Sequence, residues 1–325
     1  ISNLNLKNIR IKGDSYAGGI AGYCDGTIEN CTVQGSVTAI SNSGLIAGGT
    51  GQGSVSNCSV SGSCTGASLV GGLIGINWAV VENCHTTGTF TAFSLGCGGL
   101  TGSNTGILRQ CSANADVSGG SCVGGLSGYM NYSEYRNIYI ENCYSNSRVG
   151  VSNDDGIIGG LVGRNFSAVT NCWCAADLTC FSDSFTGILG GFVGQDDSNT
   201  AEGTASYTGC FWDSDIAGTT DDVGDSGGGA VPDPDPDGIL CLNHPSMKIK
   251  SIYTSYGWDY VGETANGTDD IWNIVEDVTY PRFADECINP PAGDVNGDCV
   301  HDLFDFAEAA SSWLDCGKIT SGLCP

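Results

Sequence analysis

Basic residues are the scarcest resource of this chain. Lys and Arg together number 11, against 36 Asp and Glu, for a formal net charge of −25. A surface of that sign repels phosphate backbones and anionic lipid, which argues against nucleic acid and membrane surfaces as partners. Histidine is nearly absent, with only His85, His244 and His301. Little is left for His-centred catalysis or zinc chemistry. No apolar run approaches the ~20 residues of a membrane helix. A signal peptide is also missing, since the chain opens on the strand-like ISNLNLKNIRIKG. We therefore read it as a mature sequence whose targeting segment has been removed, starting in mid-coil without a capping element.

What the chain has in quantity is glycine and cysteine, 51 and 18 residues of 325. So many cysteines in an acidic chain point to an oxidising, extracellular or cell-surface location, because cytosolic thiols are kept reduced. A hydrophobic fraction of 40% and an aromatic fraction of 9% exclude a disordered acidic tail as the whole molecule. The length allows one large domain, or one large and one small.

The organisation lies in a repeat. A Gly-apolar-x-Gly unit recurs at Gly19–Gly22, Gly72–Gly75, Gly99–Gly102, Gly125–Gly128, Gly160–Gly163 and Gly191–Gly194, with a variant at Leu45–Gly48. After each comes an anchor cysteine: Cys31, Cys58, Cys84, Cys111, Cys143, Cys172 and Cys210. The residue before the anchor is Asn in five of the seven, with Gln110 and Gly209 departing. An apolar residue stands three before it (Ile28, Val55, Val81, Leu108, Ile140, Val169, Tyr207), and another six after it (Val37, Cys64, Phe90, Val117, Val149, Leu178, Ile216). Side chains alternate along a strand, so the anchor and the residues two, four and six beyond it point to one face. No coil can bury that face alone; stacked coils can. The fold class is therefore all-β, a β-solenoid of about seven to eight coils, with the glycines marking corners of positive φ or close backbone approach. The opening segment Lys7–Gly13 aligns with Glu29–Gly35, which places Asn8 opposite Asn30.

These residues resemble the GLUG-motif repeats of bacterial secreted and surface proteins, over about residues 14–216. Cys210-Phe211-Trp212-Asp213, Gly257-Trp258-Asp259, Ile271-Trp272-Asn273-Ile274 and Tyr280-Pro281-Arg282-Phe283 extend the likeness. The resemblance implies an extracellular β-solenoid and supplies no shared catalytic residues. On this reading residues 1–217 are the solenoid, 218–240 an acidic linker or loop, 241–286 solenoid-closing strands, and 287–325 a small calcium loop and helix. The longer spacings place inserted loops near 129–137, 153–156 and 196–204.

The C-terminal module rests on one motif. Asp294, Asn296, Asp298, Asp302 and Asp305 occupy loop positions 1, 3, 5, 9 and 12, and Val300 offers its backbone carbonyl at position 7. A hard cation such as Ca2+ takes six to eight oxygens in this arrangement. An amphipathic helix follows at 303–314. The segment resembles a dockerin-type calcium repeat in a single copy, where paired copies build the cohesin-binding surface of dockerins.

Other motifs carry less. His85 follows an anchor and should face water. Cys172 and Cys174 share the inward face, which favours packing over zinc. Cys97 and Cys122 precede their Gly units by two or three residues, so they are expected to stack and are candidates for a disulfide; Cys299 and Cys316 bracket the calcium loop, and Cys287 or Cys324 could tie that module down. The acidic pairs Asp154-Asp155, Asp196-Asp197 and Asp221-Asp222 fall in loops without a basic partner, so no catalytic residue and no enzyme activity are assigned. The functional expectation is an extracellular structural protein, a subunit of a surface layer or head-to-tail homo-polymer stabilised by calcium and disulfides. Its alternatives are a monomeric adhesin or carbohydrate-binding solenoid contacting surface glycans or cell-wall components, and, less favoured, a polysaccharide-processing β-helix enzyme. An aromatic groove near Tyr129, Tyr132, Tyr135 and Phe166 would favour the binding solenoid.

Overall fold

The computed structural model describes residues 1–180, 185–198, 200, 203–227 and 236–286. They divide into two units, Ile1–Met247 and one beginning at Lys248. The first is a parallel β-solenoid of about eight coils, as expected, with three sheets along its length. One sheet holds the segments that follow the anchor cysteines, such as Thr32–Thr38, Ser59–Gly71 and His85–Gly98. A second holds the strands that leave the Gly units, from Ala21–Cys24 to Val223–Asp225. The third runs from Thr27–Glu29 to Ser206–Thr208 and carries the apolar residues three before each anchor.

Like stacks on like. In the third sheet Ile28, Val55, Val81, Leu108, Ile140 and Val169 are register partners on successive coils and are all buried. Each such side chain contributes roughly 1.5–3 kcal/mol through burial. The anchor thiols are buried as well, and each donates to the carbonyl two residues earlier, as in Cys111 Sγ to Arg109 O at 3.1 Å and Cys172 Sγ to Thr170 O at 3.1 Å. Cysteine suits this position because it is small and apolar yet carries a weak donor for a carbonyl at the bend.

That bend is made by the residue before the anchor. Asn30, Asn57, Asn83, Gln110, Asn142 and Asn171 all have φ between 49° and 53°, and Gly209 has 59°. Asn tolerates the left-handed region better than other non-glycine residues. The Gly units serve the other purpose. A Cβ on Gly72 would lie 2.2 Å from Gly99 O, and one on Gly99 2.2 Å from Gly125 O, so these glycines let adjacent coils approach without a change in the sign of φ.

Four expectations need correction. The opening segment pairs Leu6 with Val33 and Ile11 with Val37, and a register shift separates Leu6 from Ile9. Asn3, not Asn8, therefore corresponds to Asn30, and its N–H bonds Glu29 O just as the Asn30 N–H bonds Ser56 O. Asn8 also has positive φ, which gives it the same local signature inside the bulge. Secondly, Cys97 pairs with Val123, whereas Cys122 pairs with Ile157. The one-residue offset prevents stacking, and all 13 cysteines whose side chains are described are free thiols. Thirdly, the ladder of residues six past the anchor ends at Leu178. Ile216 instead lies in the helix Ser214–Ala217, which Asp213 caps by accepting from Asp215 N and which Gly218 ends at φ 73°. Fourthly, the acidic stretch after 217 contributes a strand, Val223–Asp225, paired with Val193–Gln195.

Ile239–Leu242 pairs in parallel with Cys210–Asp213. The second unit has its own core. Trp272–Asn273 and Arg282–Phe283 form an antiparallel pair, and Trp258 packs on Trp272 with ring centroids 4.5 Å apart beside Tyr253 and Tyr260. Residues 287–325 lie outside the described residues, and with them the calcium loop Asp294, Asn296, Asp298, Val300, Asp302 and Asp305, as well as Cys287, Cys299, Cys316 and Cys324.

Candidate functional site

Where the second sheet turns into the third, a buried polar ladder fixes the corner. Thr50 Oγ1 donates to Asn77 Oδ1 at 2.8 Å, Asn77 Nδ2 to Asn104 Oδ1 at 2.7 Å, and Asn104 Nδ2 to Met130 Sδ at 3.2 Å. Each amide also closes its own turn: Asn77 Oδ1 accepts from Ala79 N, Asn104 Oδ1 from Gly106 N, and Asn165 Oδ1 from Ser167 N. Sequence reading missed this ladder, although its signal is present. Thr50, Asn77, Asn104, Met130, Asn165 and Asp196 each stand two residues after a closing glycine.

Met130 interrupts the amides at the coil that carries an insertion, residues 131–138, which falls where the spacing predicted a loop. Its base is tied down on two sides. Asn131 Nδ2 donates to Ser103 Oγ and Thr105 Oγ1 at 3.0 and 3.1 Å, and Asn131 O accepts from Ser167 Oγ at 2.7 Å. The tip folds back over earlier coils. Arg136 Nη1 donates to Trp78 O at 3.3 Å, and the guanidinium carbon sits 5.1 Å from the Trp78 ring centroid. Such a stack on an exposed ring stabilises by roughly 0.5–1 kcal/mol.

Two grooves flank the insertion. One, of about 350 Å³, is lined by Tyr132, Arg136, Tyr139, Glu141, Phe166 and Thr204 among others. Its neighbour, of about 530 Å³, is lined by Gln52, Trp78, Val80, Ile107, Tyr135 and Arg136. Trp78 is 39%, Tyr132 53% and Tyr135 93% exposed. Tyr129 and Phe166 lie alongside, 6.0 Å apart, with the Arg164 guanidinium over both rings. The aromatic cluster anticipated at Tyr129, Tyr132, Tyr135 and Phe166 is thus assembled, and Trp78, Arg136 and Tyr139 join it. Trp78 escaped notice because nothing in its own coil marks it; the insertion from a later coil brings Arg136 to it.

Charge on this face is balanced locally. Arg109 bonds Glu82 and Glu141 at 3.3 Å each and donates to Tyr139 OH at 2.6 Å. Burial works against the Arg109 charge, but the bonds to Glu82 and Tyr139 outweigh it and raise its pKa. Half-exposed pairs of this kind fix geometry more than they add stability.

Other side chains weighed for chemistry are engaged within the fold. Asp196 and Asp222, expected in loops, are buried: Asp196 accepts from the Tyr207 hydroxyl, and Asp222 accepts from Trp212 Nε1 at 2.5 Å. The Asp213 carboxylate bonds His244 Nδ1 at 2.9 Å while capping the helix at 214–217. His85 is half-buried and faces outward, its Nδ1 2.9 Å from Ser112 Oγ. Cys172 and Cys174 are both buried on the inward face. Among the described residues no group of three or more His, Cys, Asp or Glu is placed to hold a metal ion. No helix among them is long and apolar enough to cross a membrane.

The GLUG motif matches at residues 13–38 and 66–91. Each match covers one full turn of the solenoid, from the end of one post-anchor segment to the same point one coil later. The chain carries GLUG repeats. Between the two matches falls the variant coil in which Leu45 replaces the first glycine of the GLUG unit. Among curated proteins no match is found. A crystal structure from Bacteroides ovatus, described as a putative immunoglobulin A1 protease, shares the fold at a TM-score of 0.51 and 18% identity, over 87% of this chain and 75% of that one.

Proposed function

We propose that this GLUG-repeat solenoid is an extracellular, non-catalytic recognition protein that holds surface or cell-wall glycans on the face built around residues 131–138. The observation that carries this reading is the gathering of exposed Trp78, Tyr132 and Tyr135 around grooves whose outward neighbours in the earlier coils are Ser54, Ser56 and Thr27. Rings with one apolar face and a polar rim suit sugars, which present C–H groups on one side and hydroxyls around the edge. Glu82, Arg109, Glu141 and the Tyr139 hydroxyl offer fixed donors and acceptors beside them. Co-sedimentation of the full chain with insoluble bacterial and plant cell-wall preparations tests the reading. Binding should fall about tenfold in Trp78→Ala combined with Tyr135→Ala. Retention unchanged in that variant refutes it.

A structural role as a surface-layer or filament subunit is the second reading. It is favoured by the stacking of identical rungs, because a coil of a second copy presents the same ladder of backbone groups. Light scattering at high concentration, with and without calcium, separates the two: a strictly monomeric protein leaves the recognition reading alone. The loop 294–305 is proposed as a calcium site in either case, since five side-chain oxygens and the Val300 carbonyl match the needs of that ion. Calorimetry should find one calcium bound, lost in Asp294→Ala with Asp298→Ala.

A further inference from the structure

The two grooves meet at Arg136 and Asn137, which line both, and are taken together as one trough. Its floor crosses strands rather than following one. Val80, Ile107, Tyr139 and Ala168 are register partners on four consecutive coils. The trough therefore runs along the solenoid axis, and its floor repeats at the strand spacing of about 4.8 Å. One pyranose of an extended, linear polysaccharide advances by nearly that distance.

Charge narrows the ligand further. Arg136, the arginine that lines both grooves, is already engaged by Trp78, and Arg109 on the same sheet by two glutamates. The chain as a whole carries −25, a field that repels polyanions.

Resting on the recognition reading above, we propose that the trough binds a neutral, linear polysaccharide laid parallel to the solenoid axis, with about one sugar per coil. Trp78 and Tyr135 stack against sugars at one end and Tyr132 at the other. A peptide strand is the competing occupant; it would have to pair through an exposed strand edge, whereas this floor is the face of a sheet whose backbone groups are already bonded between coils.

Calorimetric titration of the full chain tests this, using xylo-, manno- and cello-oligosaccharides from dimer to hexamer, with polygalacturonate as the anionic counterpart. At least one neutral series should gain about tenfold or more in affinity from dimer to tetramer and level off by the hexamer, as the four-coil trough fills. Trp78→Ala and Tyr135→Ala should each cost about tenfold for the hexamer, and Thr89→Asp, on another face, nothing. A dimer that binds as tightly as the hexamer, or polygalacturonate binding without neutral binding, overturns the axial neutral-polymer assignment. So does silence from every neutral series. In each of these cases, cell-wall retention that still depends on Trp78 and Tyr135 preserves the recognition reading; loss of that dependence removes both.

Discussion

Two sets of asparagines in this chain should respond to substitution in opposite ways. Asn83 precedes an anchor cysteine at φ 50°, and its side chain makes one exposed bond, to Asn57 Oδ1 at 3.2 Å. Its value lies in the backbone. Asn83→Ala puts an ordinary residue in the left-handed region and should cost about 1 kcal/mol, while Asn83→Gly should be neutral within a few tenths. Asn104 is buried and works through its amide. It donates to Gly106 O and Met130 Sδ, and accepts from Gly106 N and Asn77 Nδ2. At about 1 kcal/mol per bond, with less for the sulfur, Asn104→Ala should cost about 3 kcal/mol, and Asn104→Gly no less. The measurement is the urea midpoint by circular dichroism. Stacked repeats need not unfold in one step, so hydrogen exchange should locate the loss in the coils next to the substitution. Equal midpoints for Asn83→Gly and Asn104→Gly would refute the distinction, as would a harmless Asn104→Ala.

Three further outcomes follow from the packing. Val117→Asp, at a buried rung, should cost more than about 3 kcal/mol, whereas outward Thr89→Asp should stay within about 0.5 kcal/mol; matching thermal shifts would show the register to be wrong. Burial raises the Asp196 pKa, although Tyr207 and Ser198 bond its carboxylate and work the other way. The folded state then keeps a proton that the unfolded chain has lost, so this contribution to stability is present below the ordinary carboxylate pKa and is lost as pH rises toward the raised value. Asp196→Asn should flatten the urea midpoint against pH as pH rises above the ordinary carboxylate pKa, and an unchanged slope would refute the assignment. Finally, of the 13 described thiols only Cys24 and Cys241 are not buried, and burial pushes Cys97 up to about 12. Thiol labelling read by mass spectrometry should mark those two promptly and the anchors only in denaturant; prompt labelling of Cys111 would refute the sealed ladder.

The repeat was legible because each rung is a chemical requirement repeated at a nearly fixed spacing. An inward side chain must be apolar, a crowded corner must be glycine, and a left-handed bend favours asparagine, so Cys31 to Cys210 and Ile28 to Tyr207 could be read directly. What escaped depended on pairing. Asn3 and Asn8 both adopt positive φ, and only the bulge between Leu6 and Ile9 decides which one aligns with Asn30. Cys97 and Cys122 differ by one residue in their distance from the Gly unit, a small difference in sequence that becomes a change of partner in a sheet. The aromatic face was half legible: Tyr129, Tyr132, Tyr135 and Phe166 cluster near one insertion, but Trp78 enters only when that insertion folds back across coils.

The ladders also determine how such a chain can change length. Thr101 sits on Ser127 after 26 residues, and Ser127 on Val162 after 35, yet both steps keep the same pairing in the second sheet. Nine residues were therefore accommodated without moving a rung, six between Met130 and Tyr139 and three between Val151 and Ile157, because each insertion leaves and returns at its own corner. Removing a whole coil would set Gly on Gly and Cys on Cys again, whereas removing one residue inside a post-anchor strand would turn every later side chain of that strand inside out. The coil is thus the natural unit of inheritance here: relatives should differ by entire turns and by loops at the corners, while the strands between them keep their count.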